Sequence, residues 1–319
     1  MGNTIDPTPK GWDTTQCNVA LSTMWGAGNF SRLKDFFQTA QKLGFDKFEL
    51  NHQVDSAMLA GADLKNYHFT SVHEPCPADI PTERLKAQDW LISATDEDNR
   101  RQGVTAIKRS IDLAKALGAP VVVVHSGVVH ADQSHEGDLR RLFKAGQTHS
   151  QAYLDIKNRL IDLRAEPARH RLDAVKKSLE ELIDYASLSG IRLGLENRYH
   201  YLDIPSLDEM GILLRLAGTD QLGFIYDIGH AWALDRLGFY PHDAWLKHYS
   251  SRILGVHLHD VIGIDDHYAP GLGSVDFEQI ANYLPDSAFR TCELQPASTP
   301  GELKAGLKYL IEKGCIPCQ

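Results

Sequence analysis

The chain has 319 residues, of which 43% are apolar and 24% are charged, so it can bury one large core but is short for two ordinary domains. Its formal net charge of −9 favours a soluble protein and argues against nucleic acid as its partner. The longest apolar run, at 119–124, is far shorter than the ~18 residues that span a bilayer. Residues 1–11 lack the apolar segment of a secretory signal, so we expect a cytoplasmic protein without a membrane partner.

The cysteines, an odd number scattered along the chain, do not predict a disulfide framework. They are Cys17, Cys76, Cys292, Cys315 and Cys318. The last two form a C-x-x-C pattern that stands alone near the C-terminus. We interpret this pattern as incidental rather than as a redox or metal motif.

Residues 1–16 are rich in Thr, Pro, Asp and Gly and are predicted to be an N-terminal lead-in, followed by one folded domain over 17–319. In that domain, apolar runs typical of strands alternate with segments of helical periodicity. The predicted strands span 18–25, 47–50, 68–72, 121–124, 191–195, 222–226, 253–256 and 290–292. The predicted helices span 30–43, 54–65, 96–117, 149–189, 206–216, 243–250, 277–283 and 303–311. Long loops are predicted at 75–96 and 261–274.

Eight strands that alternate with helices are the pattern of a (β/α)₈ TIM barrel, an α/β fold. The four valines at 121–124 are typical of a strand that is buried on both faces in a parallel sheet. A doubly wound open sheet is the alternative. The stretch W-G-A-G-N-F after the first strand, however, has the wrong glycine spacing for a dinucleotide-binding fingerprint. We therefore predict a single TIM barrel.

Acids and imidazoles follow most of the predicted strands. In a TIM barrel the carboxyl ends of the strands meet at one rim, where active sites lie. A single histidine there is more often a hydrogen-bonded residue than a ligand, but chance does not readily place acids or imidazoles at six successive strand ends. The set at the predicted rim is His73, His125, Glu196, Asp227, His230, His257, Asp265, His267 and Glu293.

This set predicts a metal site. Closely packed carboxylates raise one another's pKa values and repel, and a bound cation removes that repulsion. The donors are nitrogen and oxygen without a thiolate, which suits Mn²⁺, Mg²⁺, Co²⁺, Fe²⁺ or Zn²⁺. Consecutive strands five to eight supply the best four ligands, Glu196, Asp227, His257 and Glu293. Two carboxylates that face each other across a substrate suit proton abstraction next to a carbonyl, one removing a proton and the other returning it.

The strand-end motifs resemble the xylose isomerase-like TIM-barrel superfamily over about 17–312. They are L-E-N at 195–197, Y-D-I-G-H at 226–230, H-L-H-D at 257–260, D-H-Y-A-P-G-L-G-S-V-D-F at 266–277 and C-E-L at 292–294. The superfamily contains sugar and sugar phosphate isomerases and epimerases, inosose dehydratases and endonuclease IV. Its epimerase-type members imply one divalent metal, usually Mn²⁺, on Glu196, Asp227, His257 and Glu293, with Glu196 and Glu293 as the catalytic acid/base pair.

The resemblance also implies residues that bind the substrate. His230 would hold a substrate hydroxyl, and His73 and His125 would line the pocket. His267 lies in a D-x-H segment that shapes the pocket in the sugar enzymes. Superfamily members often pair through barrel helices, so the charged stretch 149–189 is a candidate surface for a homo-oligomer.

Two neighbours of the ligands have more than one interpretation. Arg198 either pairs with a substrate carboxylate or phosphate or forms a salt bridge with Asp227 or a loop acid. His259 either extends the metal site or, as we expect, donates a hydrogen bond to it.

The chain departs from the ketose 3-epimerases of this superfamily. Gly263 lies near the position where those enzymes have an Arg after the seventh-strand His, and Tyr201-Leu202-Asp203 occupies the region of their second Glu. The resemblance therefore leaves open an isomerase, an epimerase of another sugar or polyol, or a dehydratase. In each case the partner is a small carbohydrate.

The alternative function is an endonuclease IV-type phosphodiesterase that acts on abasic DNA with three zinc ions. All nine rim residues have the types that its ligand pattern requires. Several neighbouring residues differ, however, and a basic, aromatic-rich loop for gripping a bent duplex is missing from the sequence. A third hypothesis, a non-catalytic binding protein, does not explain why the four metal-ligand positions are intact.

Overall fold

The computed structural model describes residues 17–129 and 132–318, and the lead-in predicted for 1–16 lies outside them. The strands in the described part are β1 Ala20–Ser22, β2 Lys47–Leu50, β3 His68–His73, β4 Val121–Val124, β5 Arg192–Glu196, β6 Leu222–Asp227, β7 Ile253–Leu258, β8 Asp260–Ile262, β9 Asp265–Tyr268 and β10 Phe289–Cys292. The α-helices there are α1 Leu33–Leu43, α2 Ser56–Ala60, α3 Thr82–Ala87, α4 Glu97–Leu117, α5 Ser134–Lys144, α6 Gln151–Ala165, α7 Pro167–Ser187, α8 Leu207–Leu214, α9 Ile228–Arg236, α10 His242–Tyr249, α11 Phe277–Ala281 and α12 Pro300–Glu312. Within the same ranges, no helix has both the length and the apolar character needed to cross a bilayer.

Eight of these strands close into a parallel barrel in the order β1–β10–β7–β6–β5–β4–β3–β2, which confirms the predicted (β/α)₈ fold. β2 and β4 have the predicted bounds. β3, β5 and β6 end one residue later than predicted, so His73, Glu196 and Asp227 are the last residues of their strands. Because these residues lie within the hydrogen-bonded barrel, their backbone positions are held by the neighbouring strands.

The interior of the barrel has an apolar floor. Successive side chains of a strand point alternately into and out of the barrel. Four buried side chains fill inward positions below the rim, and Phe289 packs against them. They are Val121, Val123, Ile225 and Leu254. Asp227 follows Ile225 by two residues and therefore points inward one level higher. The polar rim thus stands on a packed apolar layer.

Four elements fall outside the predicted pattern: α3, α5, α9 and the antiparallel hairpin β8–β9 inside the predicted loop 261–274. Asp227 is the N-cap of α9, and its Oδ1 accepts a 2.7 Å hydrogen bond from the backbone N of His230. The first turn of α9 contains Gly229, a poor helix former. A Cβ at Gly229 would lie 2.2 Å from the ring of His259, so close approach of the two elements requires glycine there.

A disulfide joins Cys17 to Cys318, so the prediction of a chain without a disulfide framework is wrong at this pair. The two residues are 301 positions apart in the sequence, and barrel closure brings them together. Cys17 and Cys318 pair as an antiparallel bridge, beside a 3.3 Å hydrogen bond from the backbone N of Asn18 to the carbonyl of Pro317. The C-x-x-C pattern is therefore not incidental, since one of its cysteines forms this bond while Cys315 is a buried free thiol.

Candidate metal centre

The four residues predicted to bind metal converge at the carboxyl ends of β5, β6, β7 and β10. Asp227 and His257 are register partners on β6 and β7. Nδ1 of His257 lies 2.7 Å from Oε1 of Glu196, 2.9 Å from Oε2 of Glu293 and 3.5 Å from Oδ2 of Asp227. One ligand atom from each of the four lies within 4.8 Å of the others, and all four side chains are buried. The barrel therefore assembles this group from distant parts of the sequence.

The electrostatics of the group fit a divalent cation. Burial raises the pKa of each of the three carboxyl groups, but the surrounding imidazoles lower it by more, so the pKa values of Glu196, Asp227 and Glu293 lie below their ordinary range. For His257, burial lowers the pKa while Glu293, Glu49 and the other carboxylates raise it well above its usual value. Ionised carboxylates that face one imidazole nitrogen in a buried site supply the charge and the donor types that a hard or borderline divalent ion needs.

Glu49 and Asn197 support the group, although neither belongs to the strand-end pattern of acids and imidazoles. Oε2 of Glu49 lies 3.1 Å from Nε2 of His257. The Asn197 side chain bonds both the backbone N and the carbonyl of Asp227 at 2.8 Å, and so ties the end of β5 to the end of β6. The sequence signal for Glu49 is a carboxylate inside the apolar strand F-E-L, where burial is costly unless the group has a partner.

His73 and His125, the predicted pocket residues, lie together on the other side of Glu196. Nε2 of His125 is 2.9 Å from Oε2 of Glu196, and the rings of His73 and His125 are 4.4 Å apart. Nδ1 of His73 donates to the carbonyl of Glu74 at 3.1 Å, which leaves Nε2 directed toward Glu196 at 3.8 Å. The two imidazoles therefore form the wall of the site that faces the carboxylates.

His230 and His267 belong to a neighbouring group that includes Asp266. Nδ1 of His230 donates to the carbonyl of Asn197 at 2.9 Å, and its Nε2 lies 3.8 Å from Oδ2 of Asp266. The prediction that Asp265 belongs to the rim set is wrong, because Asp265 is half exposed and pairs with Nζ of Lys144 at 2.7 Å. The physical reason is the hairpin, in which adjacent residues of β9 point in opposite directions.

Arg198 and His259 contact ligands directly. The guanidinium of Arg198 lies 3.5 Å from Asp203, a loop acid as predicted, and also pairs with Oε2 of Glu196, whereas the predicted pairing with Asp227 is not formed. The backbone N of His267 donates to Nδ1 of His259 at 3.0 Å. Nε2 of His259 is then the donor to Oδ2 of Asp227, also at 3.0 Å, which matches the expected hydrogen-bonding role.

A small cleft adjoins the imidazole side of the site. His125 and Arg198 form its inner end, next to Glu196. The segment predicted as the rim loop 75–96 supplies much of the outer wall, including Leu85 and Trp90. The cleft therefore lies between the imidazole side of the rim and the segment 75–96.

The fold and the sequence place the chain in the same family of TIM barrels. The sequence model of the xylose isomerase-like TIM barrel matches residues 37–313, and the chain belongs to this family. Among curated proteins, the chain is 27% identical over 209 residues to the uncharacterized protein y4fM of Sinorhizobium fredii, an alignment that covers 65% of this chain and 54% of that protein. The chain spans about half the length of the curated relatives it matches.

Solved structures with the same fold include sugar epimerases. A D-tagatose 3-epimerase-like protein superposes with a TM-score of 0.64 at 19% identity, covering 93% of this chain and 99% of the other. The 3-keto-D-glucoside 4-epimerase YcjR from E. coli gives a TM-score of 0.61 at 16% identity, with 92% and 99% covered. The IOLI protein with a bound zinc atom gives 0.63 at 16% identity, with 93% and 98% covered. At these identities the likeness establishes the fold.

Proposed function

We propose that the protein is a divalent-metal-dependent isomerase or epimerase, or a related dehydratase, that acts on a sugar, sugar phosphate or cyclitol. The reaction would be a proton transfer next to a carbonyl. The observation that carries the proposal is the buried group of Glu196, Asp227, His257 and Glu293, with ligand atoms within 4.8 Å of one another. The family and the sugar epimerases among its structural neighbours support a small carbohydrate substrate.

The four residues of this group would hold one divalent ion. Mn²⁺ is our first choice, and Zn²⁺, Mg²⁺, Co²⁺ and Fe²⁺ share the preference for nitrogen and oxygen donors. When bound, such an ion polarises carbonyl and hydroxyl oxygens of a substrate. The zinc in the neighbouring IOLI structure, and the ZnCl₂-soaked TTHB071 protein from Thermus thermophilus, support metal binding in this fold.

Glu196 and Glu293 would be the acid/base pair. Both carboxyl groups lie within 2.9 Å of Nδ1 of His257. Because the pKa of each is below its ordinary range, both are ionised at neutral pH, which is the form that binds a cation. One would take the proton from the carbon next to the carbonyl and release it to solvent. The other, after taking a proton from solvent, would give it to the substrate. Each such transfer typically contributes about 10²- to 10⁴-fold to the rate.

The remaining residues would bind and orient the substrate. His125 and Arg198 line the cleft, and His73 stands beside His125. His230 and His267 approach the site from the β6 and β9 side and would hold substrate hydroxyls. Because Arg198 already pairs with Glu196, it would also keep that carboxylate in place for proton transfer.

The endonuclease IV-type alternative is not favoured. The structural neighbours include sugar epimerases, and Asp265, which the three-zinc ligand pattern uses, is paired with Lys144 outside the rim. A homo-oligomer stays a prediction. The cytoplasmic location also stays a prediction, and the Cys17–Cys318 disulfide weighs against it because such bonds persist in oxidising compartments.

The proposal is tested by solvent exchange. Ketoses, aldoses, keto-glycosides and cyclitol ketones are incubated with the Mn²⁺-loaded protein in D₂O and followed by NMR. We expect deuterium to enter at the carbon next to the carbonyl of at least one compound, in a reaction that EDTA stops. Glu293→Gln should lower that rate by about 10²-fold or more. A near wild-type rate in this variant, or close to three zinc ions per chain by elemental analysis, would contradict the proposal.

A further inference from the structure

We infer that Glu49 is a positioning residue that holds the His257 ring in the orientation of a metal ligand, an inference that rests on the metal site of the proposed function. Glu49 lies on β2, and the strand order places β1 and β10 between β2 and β7. Both side chains are 0% exposed. Their contact therefore crosses the barrel interior and does not follow from the pairing of adjacent strands.

The Glu49 carboxylate accepts a hydrogen bond from one ring nitrogen of His257 and so fixes the direction in which the other nitrogen points. Its Oε2 lies 3.1 Å from Nε2 of the ring, and because a carboxylate accepts, Nε2–H is the donor. Nδ1 is then the nitrogen that faces Glu196, Asp227 and Glu293, at 2.7 to 3.5 Å. A ring fixed in this way presents Nδ1 to an ion among the three carboxylates.

Glu49 is itself held in position by Ser71. The two residues are register partners on β2 and β3, and the Ser71 hydroxyl donates to Oε2 of Glu49 at 2.6 Å. Oε1 of Glu49 is buried and has no hydrogen-bond partner among the described residues. A half-satisfied buried carboxylate is a costly way to fill space. The buried charge of Glu49 has a clear role if it orients the His257 imidazole and makes that ring more basic, as carboxylates behind metal-bound histidines do.

The test measures metal binding rather than turnover. The full chain is titrated with Mn²⁺ by calorimetry, and the visible absorption of the Co²⁺-loaded protein reports the ligand geometry. Glu49→Ala should weaken Mn²⁺ binding by about 10- to 100-fold and alter the Co²⁺ spectrum. Glu49→Gln keeps an acceptor for Nε2–H but removes the charge, and Ser71→Ala removes only the hydroxyl. We expect both to weaken binding by less than Glu49→Ala.

Glu136→Gln is the matched control. Glu136 is likewise a buried carboxylate bonded to an imidazole, with Oε1 3.0 Å from Nδ1 of His200, but it does not belong to the proposed ligand group. Replacing it should leave the Mn²⁺ affinity and the Co²⁺ spectrum unchanged. An equal loss of affinity in this control would show that the effect at Glu49 is a general consequence of disturbing a buried carboxylate, and would overturn the inference.

The remaining outcomes separate the inference from the proposed function. If the wild-type chain binds neither Mn²⁺ nor Co²⁺, the metal site itself is wrong. If the wild type binds one ion and the Glu49 variants bind it with the same affinity and spectrum, the metal site stands and the positioning role is wrong. Should Glu49→Ala lose cooperative thermal unfolding, Glu49→Gln and Ser71→Ala provide the same comparison in chains closer to the native packing.

Discussion

The two halves of the barrel rim differ in chemistry. The acidic arc, Glu196, Asp227 and Glu293 at the ends of β5, β6 and β10, converges on Nδ1 of His257 at 2.7 to 3.5 Å. The imidazole arc, His52, His73 and His125 after β2, β3 and β4, places three rings with centroids 4.4 to 6.1 Å apart. One half concentrates negative charge, whereas the other concentrates hydrogen-bonding rings.

The pKa shifts keep the carboxylates of the acidic arc charged and keep two rings of the imidazole arc neutral. In the imidazole arc, burial lowers the pKa of His52 to about 4 and that of His125 well below its usual value, so both rings are neutral at pH 7. His73 lies where the arcs meet: burial lowers its pKa, but Glu196 and other carboxylates raise it to about 9. The difference supports the proposed cation site in the acidic arc, and the neutral rings of His52 and His125 suit the hydroxyl groups of the proposed substrate.

The largest expected effect is the loss of the cation from the acidic arc in Asp227→Asn. If a four-ligand site has ~10–16 kcal/mol of binding free energy, one ligand accounts for about 2.5–4 kcal/mol, or about 100- to 1,000-fold in affinity. Asn caps a helix as well as Asp does, so the start of α9 should survive. Calorimetric titration with Mn²⁺ measures the loss. Wild-type affinity would remove Asp227 from the ligand set.

Metal removal should destabilise the wild-type chain through the same arc. An ion at 100 times its Kd contributes about 2.7 kcal/mol to the free energy of unfolding. For a chain of 319 residues, that corresponds to a fall in Tm of roughly 4 °C when EDTA is added. Differential scanning calorimetry with and without Mn²⁺ checks this. Asp227→Asn is the control, because its Tm should respond little to either addition.

His125→Asn should affect the imidazole arc alone. The variant loses one hydrogen bond to a charged or substrate group, worth about 1.5–3 kcal/mol, so kcat/KM should fall by about 10- to 100-fold. The assay uses a compound found by the D₂O exchange screen. Elemental analysis should still find about one divalent ion per chain. A loss of bound metal in this variant would mean that the two arcs share the ion-binding function.

The smallest effect concerns pH and His52. Its pKa is about 4 in the folded chain and about 6.5 when unfolded, so the unfolded state binds more protons between these values. The neutral His52 ring therefore makes its full contribution to the free energy of unfolding above pH ~6.5, and this contribution is lost as the pH falls toward 4. In metal-free protein, the wild type should lose about 1 kcal/mol more than His52→Asn between pH 7.5 and 5.5. Urea unfolding at the two pH values measures it; equal losses would show that His52 is not the group responsible.

The acidic arc was predictable from the sequence because each member ends an apolar strand, and the fold alone carries such positions to one rim. Glu49 was not predictable in this way, since its contact with His257 joins residues 208 positions apart across the barrel. Asp266 was not predicted as a site residue because its segment was predicted as a loop. The segment forms a hairpin, in which the alternation of side chains directs Asp266 toward the site and Asp265 away from it. Cys17 and Cys318 carry no local pattern that reveals their pairing, which results from barrel closure.

The Cys17–Cys318 bond has a mechanical consequence. It closes a covalent ring that contains every barrel strand. A pulling force applied to the chain outside this ring passes through the sulfur–sulfur bond and does not stretch the barrel. A protease-linked unfoldase that pulls from either side would therefore have to thread a doubled chain through its pore. Resistance to forced unfolding would then be controlled by thiol reductants rather than by the packing of the core.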